Sequence, residues 1–252
     1  CLSRGLGDVY KRQVMRSSAA VLVTTSWRAE WLRSRRWLPS RPVAFAPVFS
    51  NLPPPAGKAH PDGRPPAVGL FGYNLRPTAI ALVLDALAVL QREGVKAQLL
   101  LIGAPGPDSP VARAWLEQAR ARHLEHAPVF SGTLPAQELS DRLAECEVLL
   151  YAEPAGPMSR KGTLAASLAS GRPVLALDGP RTWRELVAAD AAVVVAPRLD
   201  ALAEALSRLL TDAQERESFG ARGRAFAAQT MTPAYTAGVL RAAIAEILGA
   251  GS

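Results

Sequence analysis

The residues best suited to chemistry lie between positions 151 and 174, YAEPAGPMSRKGTLAASLASGRPV. An apolar run ends at Glu153, a turn rich in glycine and proline carries Gly156, and Ser159, Arg160, Lys161, Gly162 and Thr163 open a helix of small residues. Two cations, two hydroxyls and the free N–H groups of a helix N-terminus form an anion site, because the helix dipole and the unpaired donors both favour negative charge there. Arg160 and Lys161 add charge-assisted hydrogen bonds of the kind that hold phosphate. Gly162 lets the backbone approach a pyrophosphate closely, and Ala165, Ala166, Ser167 and Ala169 let the helix lie tight on a sheet. A purely structural alternative stands beside this one, in which Ser159 or Thr163 caps the helix and the two cations are solvated.

Three other loops stand beside it. In FGYNLRPT (71–78), Gly72 and Tyr73 stand at a strand end and Arg76 just before Pro77, where backbone donors and a cation again suit phosphate, although this is also ordinary loop chemistry. In FSGTLPAQEL (130–139), Gly132, Thr133 and Leu134 precede a helix that Pro135 opens, and exposed backbone there can pair with a base edge. IGAPGPDS (102–109) offers Gly103 and turn residues only. His60, His123 and His126 are isolated, Glu145 and Glu147 read as a surface pair, and Cys1 and Cys146 make no framework. No His and Cys cluster has metal-ligand spacing, so no metal and no cofactor are expected.

Such loops act together only if a sheet brings them to one edge. Apolar strands at 67–72, 96–103, 128–132, 148–153, 173–177 and 192–197 alternate with helices at 77–93, 110–122, 135–145, 162–170 and 182–188. Continuous apolar strands interleaved with helices predict an α/β fold, a doubly wound Rossmann-like parallel sheet covered on both faces, whose ligands bind at the carboxyl ends of the strands. Two helices, 199–228 with a break near Thr211 and 233–248, follow. Ahead of these, a strand at 19–25, a helix from Ser26 and a strand at 43–47 read as the tail of an earlier βα layer.

Residues 1–13, CLSRGLGDVYKRQ, match neither the composition nor the pattern of the rest and are set aside as a non-native leader. Residues 14–49 are the remnant of a first domain, 50–66 a Pro- and Gly-rich linker that does not pack, 67–230 the Rossmann-like domain, and 231–252 a C-terminal helix. Most of the first domain is then expected to be missing.

A net charge of +7, from 29 basic against 22 acidic residues, permits anionic partners. Nucleic acid is not expected, since the arginines are scattered and no recognised module carries interleaved aromatics. The segment 26–41 sets Trp27, Trp31 and Trp37 among five arginines. The favoured reading is the last helix of the first domain, its tryptophans packed on the sheet or the missing half; the alternative is a helix lying on a membrane surface. No apolar run is long enough for a spanning helix and no signal-peptide pattern occurs, which points to a cytoplasmic protein with peripheral membrane contact as an option.

The order AVGLFG (67–72), SGTL (131–134) and GPMSRKGTLAASLASGRPVLAL (156–177) resembles the C-terminal domain of family 4 glycosyltransferases and their GT-B relatives over about residues 40–230. The resemblance implies transfer of a sugar from a nucleotide diphosphate sugar, with retention, to an acceptor that is a sugar, a lipid-linked molecule or another small molecule. It implies that Gly132, Thr133 and Leu134 hold the base, that Arg160, Lys161, Gly162, Thr163 and Leu164 hold the diphosphate, and that Glu153 lies near the sugar or ribose. Arg160 and Lys161 would carry catalysis by stabilising the departing diphosphate. The chain also departs from the family: Met158 and Ala166 stand where many members carry two glutamates, and Tyr73 stands where an arginine is usual, with only Arg76 nearby. A degenerate GT-B domain that binds a nucleotide or a protein without turnover is the second reading, and a sugar-nucleotide epimerase, which shares the fold, the third.

Overall fold

The computed structural model describes residues 2–38, 41–56 and 64–249. Cys1, Pro39, Ser40, the middle of the expected linker with Lys58 and His60, and residues 250–252 lie outside it. Helix α1 (Leu2–Ser17) is followed by strand β1 (Val21–Val23), helix α2 (Ser26–Arg33) and strand β2 (Val43–Phe45), and β1 and β2 pair in parallel. Because α1 is continuous across positions 13 and 14, the chain shows no structural break at the end of the expected leader. Val23, Ala29, Leu32, Leu38 and Val43 form a small core here.

The main sheet begins with β3 (Ala67–Phe71), then α3 (Pro77–Arg92), β4 (Gln98–Ile102), α4 (Pro110–Ala121), β5 (Val129–Phe130) and α5 (Ala136–Ala144). It continues with β6 (Val148–Tyr151), α6 (Gly162–Ala169), β7 (Val174–Leu177), α7 (Arg184–Ala188) and β8 (Val193–Val195), and closes with α8 (Leu199–Thr211), α9 (Ala213–Thr230) and α10 (Pro233–Gly249). The named strands pair in parallel in the order β5-β4-β3-β6-β7-β8, so the alternation of apolar strands and helices does yield the doubly wound sheet.

Successive side chains of a strand face opposite ways, and the two faces build separate cores. Val68, Leu70, Leu99, Leu101, Val148 and Leu150 face α3, α4 and α8; Ala67, Leu100, Ile102, Leu149 and Tyr151 face α5, α6 and α9. Each fully buried leucine contributes about 2 kcal/mol. Local chemistry sets the helix ends. Ser109 Oγ accepts from Ala112 N at 3.1 Å ahead of Pro110, and Asp212 Oδ1 accepts from Glu215 N at 2.9 Å, which explains the break after Thr211. Gly69 is required by packing, since a Cβ there would stand 2.4 Å from Cys146 Sγ.

The described part of residues 50–66 differs from the expected unpacked linker. Ser140 Oγ donates to Pro53 O at 2.6 Å, Gln137 Nε2 to Pro54 O at 3.1 Å, and Ala56 N to the Asp141 carboxylate at 2.6 Å, so residues 53–56 are strapped along α5. Proline carbonyls remain acceptors even where no N–H is available. The Glu145–Glu147 pair is likewise half-buried and structural: Glu145 pairs with Arg142 at 2.9 Å, and the Glu147 carboxylate accepts from Ala67 N. On α2 it is Ala29 and Leu32 that pack inward, while Trp27 and Trp31 are 38% and 42% exposed, so of the favoured expectation packing on the sheet is not met.

Candidate functional site

The strand order reverses between β3 and β6, and the crevice at their carboxyl ends is where such a sheet binds ligands. Gly72 ends β3 with φ +81, and a Cβ built there would stand 3.3 Å from Thr163 Cγ2. The first and fourth loops of the sequence therefore meet at one point.

Helix α6 opens beside it. Its N-cap is Lys161, in extended conformation, with no side-chain cap hydrogen bond, so neither Ser159 nor Thr163 plays the capping role of the structural alternative. The first-turn N–H groups have no acceptor within the helix. Gly162 is exposed, and a Cβ there would meet nothing within 4 Å, which leaves open room beside that turn. Arg160 is exposed, with no hydrogen bond or ion pair among the described residues. Lys161 Nζ lies 2.9 Å from Glu153 Oε1. Thr163 is half-buried, and Leu164 is fully buried, so only its backbone can face the crevice.

Other expected contacts take structural roles. Ser159 is buried; its hydroxyl donates to Thr24 O at 2.7 Å, and its carbonyl accepts from Val48 N at 2.8 Å. Gly156, at φ +86, is needed because a Cβ would strike Thr182 Oγ1 and the Gly179 backbone. Tyr73 is completely buried: Gly106 N donates to its hydroxyl at 2.6 Å, Trp115 Nε1 to its carbonyl at 3.1 Å, and its ring meets Phe130 edge-on. With its hydroxyl accepting inside the loop, the side chain supports the crevice from beneath instead of facing a donor. Arg76 is exposed at the N-cap of α3.

The third loop adjoins the second: Gly103 and Gly132 form an antiparallel bridge, and Gly103 N donates to Ser131 Oγ at 3.0 Å. Gly132 adopts φ +66, Thr133 is exposed and Leu134 half-buried, so this loop presents backbone two strands away from β3.

Tyr151 was not among the expected residues. Its hydroxyl is buried, and burial, reinforced by the Glu153 carboxylate, holds its acidity below that of a free phenol, while Arg160 and the Met158 backbone pull the other way. A polar atom closing an otherwise apolar strand was the signal available in the sequence. On the far side of the loop a cavity of about 460 Å³ lies between α2 and the β7–α7 connection, lined by Trp27, Glu30, Met158, Arg181 and Glu185 among others. Among the described residues no group of three or more His, Cys, Asp or Glu could hold a metal ion, and no helix is long and apolar enough to cross a membrane.

Exposed cations, a bare helix N-terminus and a glycine-floored crevice at the switch point can hold a diphosphate and stabilise charge as it leaves. The comparisons agree in kind. The model of the family described as glycosyl transferases group 1 matches residues 65–212. No match was found among curated protein sequences. Sucrose-phosphate synthase from Thermosynechococcus elongatus superimposes with a TM-score of 0.71 at 21% identity, over 96% of this chain and 61% of that one. Anabaena HepE, in complex with UDP and glucose, gives 0.69 at 19% identity over 96% and 66%. The C-terminal domain of LpcC, a glycosyl transferase group 1 family protein from Francisella tularensis, gives 0.58 at 17% identity over 74% of this chain and 99% of that one. The chain thus spans less than two thirds of the first two structures. The family match runs from just before β3 to the residue after α8, more than half of the chain, and with the GT-B architecture of these neighbours it makes this chain a member of the glycosyl transferases group 1 family.

Proposed function

We propose that this chain carries the donor half of a family 4-like glycosyltransferase, which moves a hexose from a nucleoside diphosphate sugar to an acceptor with retention at the anomeric carbon. The observation that carries the reading is the meeting of the α6 N-terminus, through Thr163, with Gly72 at the switch point, with Arg160 and Lys161 immediately ahead of that turn in the chain. Gly132, Thr133 and Leu134 present backbone to the base. The first turn of α6 takes the diphosphate, with Arg160 and Lys161 stabilising its departure without a metal or cofactor. That HepE is complexed with UDP and glucose supports a uridine nucleotide as the first donor to try. Residues 67–230 form the nucleotide-sugar-binding domain in this reading, and residues 14–49 belong to an acceptor-binding domain. The acceptor is a sugar, a lipid-linked molecule or another small molecule, and the protein works in the cytoplasm.

A thermal-shift titration with UDP, GDP and ADP, comparing wild type with Arg160→Ala, tests this. Stabilisation by one nucleotide that is lost in the variant supports the donor site and names the base; no shift with any of the three overturns it. The second reading, a domain that binds a nucleotide or a protein without turnover, draws on Met158 and Ala166, buried apolar residues where many members carry glutamates. Binding without sugar transfer by this chain is the outcome expected if the acceptor half is required. Peripheral membrane contact draws on the outward Trp27 and Trp31 with Arg35 and Arg181 over their rings at 4.4 and 4.6 Å.

A further inference from the structure

The Lys161 ammonium already has a partner. Its Nζ lies 2.9 Å from Glu153 Oε1, and the two side chains are 34% and 33% exposed, so the pair is reachable by a ligand. Glu153 follows β6 by two residues and Lys161 caps α6, so the pair bridges the two ends of the β6–α6 loop. Arg160 and the open face of Gly162 lie on the same turn.

Resting on the donor-site reading above, we infer that Glu153 is a resident competitor for Lys161: its carboxylate holds the ammonium in the free protein, and a donor diphosphate must take the ammonium from it. Both anions seek the same three ammonium protons, and a carboxylate left beside a bound diphosphate also repels it. A diphosphate wins because it brings more charge and further acceptors to Arg160 and to the helix N-terminus, which Glu153 does not engage. When the product diphosphate dissociates, Glu153 retakes Lys161 and hastens its loss.

A partly exposed ion pair shifts an equilibrium by roughly two- to fivefold, which sets the size of the expected effect. Calorimetric titration with UDP, GDP and ADP would be run on wild type, Glu153→Gln, Lys161→Ala and the double variant, with Glu153→Asp as a second probe should Glu153→Gln fold poorly. The expected result is binding of one nucleotide by wild type, two- to fivefold tighter binding in Glu153→Gln, weaker binding in Lys161→Ala, and a smaller gain from Glu153→Gln in the Lys161→Ala background. Glu153→Asp, with a shorter reach to the ammonium, should fall between wild type and Glu153→Gln. Wild-type binding with no gain in Glu153→Gln overturns the competition and leaves the donor site standing, as does an equal gain in both backgrounds, which is plain charge repulsion. Binding by none of the proteins overturns the donor-site reading and this inference with it.

Discussion

Ser159 Oγ donates to Thr24 O across 2.7 Å, which ties the candidate diphosphate loop to the strand end of the first unit. Ser159 is buried and its carbonyl also receives Val48 N, so both ends of this residue face the first unit. Ser159→Ala removes one donor and leaves the Thr24 carbonyl without that partner, at a cost of about 1 kcal/mol. The expected outcome is a Tm lower by about 2–4 °C with the nucleotide-induced shift retained. An unchanged Tm with the nucleotide response lost would instead make Ser159 a direct ligand contact.

Gly72 and Gly162 should separate stability from binding. Alanine at Gly72 meets both a left-handed backbone and the Thr163 methyl at 3.3 Å, so Gly72→Ala is expected to cost about 1 kcal/mol or more. Alanine at Gly162 meets open space and improves helix propensity, so the free protein should be as stable as wild type or slightly more so. If a phosphate occupies that space, Gly162→Ala weakens nucleotide binding all the same. Melting curves with and without UDP check both; an unaltered response in Gly162→Ala argues against the phosphate position.

Tyr73→Phe tests whether the ring is a support or a contact. The hydroxyl accepts from Gly106 N in a fully buried setting, so its removal orphans that N–H and costs about 1–3 kcal/mol. Chemical denaturation should register this loss while nucleotide affinity, measured well below the unfolding range, stays within twofold of wild type. A large affinity loss without destabilisation would return Tyr73 to the crevice.

The sheet was legible because each strand is a short apolar run and each helix follows at the expected interval; β6 and β7, buried throughout, are the clearest cases. The fourth loop was legible because its cations and glycine fall at a helix start. Orientation was not. Ser159 and Thr163 are both hydroxyl residues near that start, yet Ser159 turns toward Thr24 and Thr163 toward Gly72, a choice made by contacts more than ninety positions away. The burial of Tyr73 was not legible, because a tyrosine after a strand-end glycine reads the same whether it faces a crevice or packs on Phe130. The segment 53–56 reads as unpacked because its hydrogen bonds to α5 use main-chain carbonyls and one N–H, which composition does not reveal.

The outward face of α2 gives a prediction for membranes. Trp27 and Trp31 are exposed four residues apart on one helix face, and Arg28 and Arg35 add charge beside them. Sedimentation with vesicles containing anionic phosphatidylserine should carry the wild type down, and Trp27→Ala combined with Trp31→Ala should weaken this without lowering Tm. Equal sedimentation of both proteins, or none by wild type, removes the membrane contact from the proposal.

Cys146 gives the pH prediction. Burial, with a smaller contribution from Glu147, pushes its thiol up to about 12 from an ordinary value of 9.0, so the folded protein holds this proton where the unfolded chain releases it. Between those two values the unfolded state binds fewer protons than the native state, and the slope of stability with pH is negative. The contribution is complete below pH 9 and is lost as pH rises toward 12. The buried Tyr151 phenol, also pushed up, acts with the same sign. Urea denaturation at pH 8 and pH 10 should therefore show stability falling between them, and the fall should be smaller in Cys146→Ala, whatever that substitution costs at pH 8. A thiol reagent should also leave native Cys146 unlabelled at pH 8 and label it in urea, since a buried neutral thiol is not a nucleophile. Rapid labelling of the native protein would mean that the packing of Cys146 against Gly69 opens, and the pH-dependent loss should then vanish.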